Sequence, residues 1–237
     1  MTEVLVEALG PLATVTLSRP EAGNAVDGET MAQLTAALKG IKGDDNCRIV
    51  VLRGAGADFC VGREAGPPPP SAHEIREGLR KITMVNDLLT QLSAITLAVV
   101  QGRALGFGCG LAIRCDITIA AQEARFGFPE IKSGLAPTVV MSYLSRWMPR
   151  KKAFELVTTG REMDALEAER LGLVNQVVPQ NQLEEAVSNV VSTFLAQDAT
   201  ALRTCKGFWN NIEDMGLAHA SEYGINLLAN MLASRRR

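Results

Sequence analysis

Two short, strongly apolar segments each run directly into a glycine-rich turn, and nothing else constrains the chain more. Arg48 to Leu52 precedes Gly54-Ala-Gly-Ala-Asp-Phe-Cys-Val-Gly62. Ile95 to Gln101 precedes Gly106-Phe-Gly-Cys-Gly110. Apolar runs of this length, bounded by turn residues, read as strands buried on both faces, as in a parallel sheet. Such strands need helical crossovers, and the flanking sequence supplies them. Met31, Leu34, Ala37, Leu38 and Ile41 recur at helical spacing over residues 29–41, and residues 74–93 show the same period. Ile117 to Ala120 reads as a third core strand. Val4 to Glu7 and Ala13 to Leu17 read as a hairpin about Gly10-Pro11.

The second half changes character. Leu111 to Cys115, Val139 to Met148 and Arg150 to Thr158 read as helices. Asp164 with Glu167 three residues later has the form of a capping box. Val174 to Val178 is a brief apolar connector ended by Pro179. Helices are then expected over residues 183–197, 200–211 and 216–234. The result is an α/β core over residues 1–178 and a helical region of the same domain over residues 179–237. Pro67 to Pro70 cannot be helix interior and reads as a loop over a site.

Composition narrows the function classes. With 24 Lys+Arg against 26 Asp+Glu, the net charge of −2 gives no electrostatic footprint for a nucleic-acid backbone. The apolar run Ala94 to Val100 is far short of a membrane span. Residues 1–10 carry Glu3 and Glu7 and no basic residue, unlike a secretory or transit peptide, so a cytoplasmic location is expected. The cysteines Cys47, Cys60, Cys109, Cys115 and Cys205 form no C-x-x-C pair, and His73 and His219 lie on unrelated segments. Neither a disulfide framework nor a metal site is expected.

The glycine turns are where chemistry can sit. A glycine turn that opens a helix points free N–H groups outward, and two of them can aim N–H groups at one oxygen as an oxyanion hole. Two tight strand-to-helix turns with packing duties alone fit the same spacing. Gly106-x-Gly108 lacks the third glycine of a dinucleotide fingerprint, because Leu111 stands there. Glu130, set among Phe126, Phe128, Pro129 and Ile131, is either a poorly solvated carboxylate suited to proton transfer or an exposed loop residue. No G-x-S-x-G elbow occurs, and Cys60 and Cys109 read as small packing residues.

Taken in order, these segments resemble the crotonase family, the enoyl-CoA hydratase/isomerase superfamily. Leu17-Ser-Arg-Pro-Glu-Ala-Gly-Asn-Ala25 is similar to the family's L-x-R-P-x-x-x-N-A segment. Phe59-Cys-Val-Gly-Arg-Glu64 is similar to its F-x-A-G-x-D/E turn. Gln101 to Leu111, with Cys115-Asp116, resembles its G-x-A-x-G-G-G-x-x-L…C-D element. Phe126 to Pro137 resembles the P-E-x-x-x-G-x-x-P element. Thr159-Gly160, Ala165 to Glu169 and Gly172-Leu-Val174 match the late T-G…A-x-E-A-x-x-x-G-L-V run.

The resemblance implies a spiral of β-β-α units, with C-terminal helices packing against neighbouring subunits in a trimer or a hexamer of two trimers. It implies an acyl-CoA thioester as substrate, with coenzyme A as part of it and no separate cofactor or metal. It assigns the oxyanion donors to the backbone N–H groups of Arg63 and Phe107, and the acid/base to Glu130. Ala25, Val26, Val61, Gly62, Glu64, Leu105, Gly106, Pro129 and Gly134 fall at substrate- or CoA-binding positions. Family hydratases carry a further glutamate at the position of Gly110. Its absence resembles the isomerases, in which one base moves a proton from Cα to Cγ. Decarboxylation or hydrolysis of an acyl-CoA in the same oxyanion hole, or acyl-CoA binding without turnover, stay open as alternatives.

Overall fold

The structure is a computed structural model that describes residues 2–64, 66 and 71–234. The Pro67–Pro70 loop and the Arg235–Arg237 tail lie outside the described residues.

The hairpin forms as β1 (Val4–Leu9) and β2 (Leu12–Leu17), one or two residues longer in each arm than the sequence suggests. A short 3₁₀ turn leads into α1 (Gly28–Lys42). Asp27 caps this helix by accepting from Thr30 N–H at 2.8 Å, and Lys39 and Lys42 sit in its last turn. Its buried face is Met31, Leu34, Leu38 and Ile41, the stripe visible in the sequence. Then follow β3 (Ile49–Gly54), α2 (Ala72–Gln91), β4 (Ile95–Val100), β5 (Arg103–Leu105), α3 (Phe107–Arg114), β6 (Ile117–Ala121) and β7 (Arg125–Gly127).

The rest is mainly helical: α4 (Thr138–Leu144), α5 (Arg150–Thr159), β8 (Glu162–Asp164), α6 (Ala165–Arg170), β9 (Gln176–Val178), α7 (Leu183–Leu195), α8 (Ala199–Asn211) and α9 (Leu217–Ser234). Asp164 caps α6 by accepting from Glu167 N–H at 2.7 Å, while the Glu167 carboxylate, which a capping box would turn back to Asp164, pairs with Arg161.

Six strands form the main sheet in the order β1-β2-β3-β4-β6-β9, with only the β1–β2 pair antiparallel. A smaller sheet has the order β5-β7-β8. Strands β1 to β4 all enter the large sheet, after which β5, β7 and β8 build the small sheet and β6 and β9 return to the large one. Alternate residues of the central strands feed two cores. Val50, Leu52, Ala98, Val100 and Ala120 join the larger core with α1, α2 and α3. Ile49, Val51, Leu97, Val99, Ile119 and Ala121 join a second core under Leu183, Ala186, Val187 and Val191 of α7. Burial on both faces is why these strands are apolar at nearly every position.

The structure corrects several sequence expectations. The helix expected from Leu111 starts at Phe107, four residues earlier, inside the glycine turn. The apolar connector at residues 174–178 is an edge strand, β9, paired with β6. The helix expected over residues 139–148 stops at Leu144. From there the backbone tightens to i→i+3 bonds, Arg146 N–H to Tyr143 O and Trp147 N–H to Leu144 O, both 3.0 Å, ahead of Pro149. The short strands β5, β7 and β8 escape detection because three residues show no period.

Candidate active site

The two glycine turns meet edge to edge. Gly62 has φ +119° and Gly106 φ +52°, backbone that L side chains rarely adopt. The first turn is laced to its neighbours on both sides. Val26 N–H donates to Gly62 O at 2.9 Å and Glu64 N–H to Val26 O at 3.0 Å. On the other side Cys60 N–H donates to Arg103 O at 3.0 Å and Leu105 N–H to Cys60 O at 2.9 Å. The N–H groups left out of this lacing are those of Gly62 and Arg63, neither of which has an acceptor among the described residues.

At the second turn, Gly106 N–H donates to Gly127 O at 2.8 Å and Gly110 N–H to Gly106 O at 3.0 Å, the first bond of α3. Phe107 is the first residue of that helix, and its N–H also has no acceptor among the described residues. A Cβ added to Gly106 would lie 3.9 Å from Gly62 Cα and 3.0 Å from Glu130 Oε1. Both turns and the carboxylate therefore converge. Gly108 permits that approach, since a Cβ there would fall 2.1 Å from Cys60 O.

Glu130 lies in a 3₁₀ turn, Pro129–Ser133, started by the proline and closed by Gly134 at φ +73°. Its side chain is half-buried beside fully buried Phe128, and Oε2 has no hydrogen-bond partner. Burial raises its carboxyl above the usual glutamate range. Of the two readings open on local sequence, the structure favours the poorly solvated carboxylate.

The remaining residues divide. Val26, Gly62, Leu105, Gly106 and Phe107 are buried around the junction, with Ala25, Val61 and Pro129 half-buried beside it. Glu64 is exposed and pairs with Arg19 at 3.0 Å. Gly134 is an exposed turn residue with open space where a side chain would go. Cys60 and Cys109 are fully buried, and burial pushes the Cys60 thiol up to about 12, which suits packing and not nucleophilic attack. Among the described residues there is no cluster of three or more metal-binding side chains.

The scaffold behind these turns was less visible in the sequence. Arg19 donates to Ala25 O at 2.8 Å and also pairs with Asp27 at 3.3 Å and Glu3 at 3.6 Å. Asn24, buried and at φ +57°, donates to Ala55 O at 2.8 Å and Asp58 O at 2.7 Å, tying the chain before α1 to the first glycine turn. The L-x-R-P-x-x-x-N-A pattern is the signal that marks both residues.

Comparison with known proteins now bears on this geometry. The sequence profile described as Enoyl-CoA hydratase/isomerase matches residues 7–236. The chain belongs to the enoyl-CoA hydratase/isomerase family. Among its relatives is a protein of Mycobacterium bovis described as a probable enoyl-CoA hydratase, 33% identical over 98% of this chain and 90% of its own length. A second, from Mycobacterium tuberculosis and described in the same words, is 34% identical over 95% of this chain and 84% of its own. The crystal structure of an enoyl-CoA hydratase from Mycobacterium smegmatis superimposes with a TM-score of 0.94 at 30% identity, covering 97% of this chain and 91% of that one. One from Bacillus anthracis gives 0.90 at 27% identity, covering 98% and 91%. The fold is thus crotonase-like, and the family is one of enzymes.

Against the hydratase pattern the family member described here departs at Gly110. The space a side chain would enter there is occupied: a Cβ on Gly110 would lie 2.9 Å from Tyr143 Oη.

Proposed function

We propose that this family member acts on acyl-CoA thioesters, holding the thioester oxygen between the N–H groups of Arg63 and Phe107 and using Glu130 to move a proton. The observation that carries the reading is the junction itself: two backbone N–H groups without acceptors among the described residues, next to a carboxylate that burial makes more basic. A proton leaves Cα of a thioester easily only if the enolate oxygen is stabilised. Each preorganised donor is worth about 3 kcal/mol there. Val26, Gly62, Leu105 and Gly106 form the walls of the site, with Ala25, Val61 and Pro129 beside them, and Phe107 narrows the acyl side. The steps move protons and, for hydration, one water, with coenzyme A arriving as part of the substrate.

Two reactions fit. Glu130 can activate water for addition at Cβ of a 2-enoyl-CoA, or carry a proton from Cα to Cγ of a 3-enoyl-CoA. The names of the relatives favour hydration, and Gly110 favours isomerisation. The assay supplies both esters in heavy-oxygen water and follows products by mass. Label in a 3-hydroxyacyl-CoA identifies hydration, and conversion of the 3-enoyl ester without label identifies isomerisation. Unchanged esters throughout would sink the enzymatic reading.

The same reading extends to assembly as a homotrimer or a hexamer of two trimers. It is supported by an apolar stripe left exposed on α9, formed by Ile225, Leu228 and Leu232.

A further inference from the structure

The hydroxyl at Gly110 points to a second proton-transfer group. We propose that Tyr143 is the general acid of a hydration reaction at this site, its phenol O–H taking the place of a carboxylate that position 110 lacks. The inference rests on the acyl-CoA reading above.

Gly106 and Gly110 are four residues apart at the start of α3 and are joined by the Gly110 N–H to Gly106 O bond at 3.0 Å. Gly106 is the N-cap of the helix, with its backbone at φ +52° and ψ −118°, and Gly110 lies one turn further on. Glu130 Oε1 stands 3.0 Å from the Cβ position of Gly106, and Tyr143 Oη stands 2.9 Å from that of Gly110. The carboxylate and the phenol thus both face the first turn of α3, and the Glu130 charge is among the influences on the phenol. Addition of water across a double bond asks for this pair: a base for the water proton and an acid for Cα.

The surroundings hold the phenol in place and keep its proton on. The Arg114 guanidinium lies over the ring, 5.2 Å from its centroid, fixing the plane. Burial raises the phenol above its ordinary value and the Glu130 carboxylate acts in the same direction, against the Arg114 guanidinium and Asn86, which lower it. Two buried oxygens at this end of the site have no partner, Asn86 Oδ1 and Glu130 Oε2. Asn86 is only 4% exposed, and a buried acceptor left empty in this way suits a bound polar group.

Glu130 takes one proton from water as the oxygen bonds to Cβ, and the π pair moves through Cα onto the thioester oxygen. As the pair returns, Cα takes the proton of Tyr143. The phenolate then recovers the proton held by Glu130, which restores both groups.

Tyr143→Phe keeps the ring and its contact with Arg114 and removes only the O–H. The expected result is a fall of about 100-fold in the rate of label incorporation from heavy-oxygen water. Affinity for a saturated acyl-CoA should be unchanged, and any 3-enoyl to 2-enoyl conversion should persist, because it needs one base. Gly110→Glu placed in the Tyr143→Phe background, where the hydroxyl no longer blocks the new side chain, should recover hydration. Wild-type hydration rates in Tyr143→Phe would overturn the proposal, as would wild-type isomerisation with no label uptake. Absence of any turnover by the wild-type protein would instead overturn the acyl-CoA enzyme reading on which it stands.

Discussion

At Glu130, burial and the missing partner of Oε2 act in the same direction, and both disfavour the ionised form. Two expectations follow at the scale of this residue. Glu130→Gln should lower turnover by at least about 100-fold with acyl-CoA affinity retained, read by steady-state kinetics and by calorimetric titration. Because the folded state holds this proton more tightly than the unfolded chain, the ionised carboxylate costs stability as pH rises from the unfolded pKa to the raised folded one. Glu130→Gln lacks that cost. Thermal melts should therefore show the variant more stable than wild type at pH 8, with the difference vanishing as pH falls below the ordinary glutamate value near ~4.3. The acid limb of kcat/KM should likewise lie above that value. Phe126, Phe128 and Pro129 hinted at this environment, but the local sequence fitted an exposed loop residue as well. Tyr143 was not assigned a chemical role there, since a tyrosine on a helix well downstream gives no hint that its hydroxyl meets Gly110.

At the scale of the element, the start of α3 shows where local reading stops. Gly106-Phe-Gly-Cys-Gly110 has low helix propensity, so the sequence suggests a turn followed by a helix from Leu111. The chain is nevertheless helical from Phe107, where Gly106 N–H is held by Gly127 O and Gly108 lies too close to Cys60 O for a side chain. Tertiary packing outweighs a propensity deficit of about 1 kcal/mol per glycine. Gly108→Ala tests this. Its Cβ would meet the carbonyl oxygen of Cys60 at 2.1 Å, and backbone cannot swing away as a side-chain tip can. Urea unfolding should show a loss of about 1–3 kcal/mol. Turnover should fall with it, since the Phe107 N–H shifts with the turn.

On the scale of the whole molecule, the C-terminal helices are bound to the core by polar as well as apolar contacts. Lys206 of α8 is buried, and its Nζ donates to Asp116 Oδ2 at 2.6 Å, Ala94 O at 2.7 Å and Leu89 O at 3.3 Å. Asp116 also accepts from Thr96 N–H at 2.7 Å and Thr96 Oγ1 at 2.8 Å, so one carboxylate joins β4, the end of α3 and α8. Lys206→Met would leave two carbonyls and that carboxylate without their cation. A cost of about 3 kcal/mol in chemical unfolding is expected. The Ile225, Leu228 and Leu232 stripe leads to a separate expectation. Leu228→Asp should shift the mass in sedimentation from a trimer or hexamer towards a single chain, and an unchanged mass would place the assembly surface elsewhere. Among the described residues no helix is long and apolar enough to cross a membrane.

The sequence alone determined what depends on periodicity and on ordered motifs. It showed the buried strands at residues 48–52 and 95–101, the stripe of α1, the cap at Asp164, and the five segments that mark the family. These signals survive in one dimension because each arises from neighbours a few residues apart. Only the tertiary structure decided which groups meet. It brought the two glycine turns together beside Glu130, paired Glu64 with Arg19, turned residues 176–178 into an edge strand, and set the Tyr143 hydroxyl beside Gly110. Those outcomes depend on contacts between distant segments, whose geometry is set by how the sheets and helices pack and not by any residue's own preference.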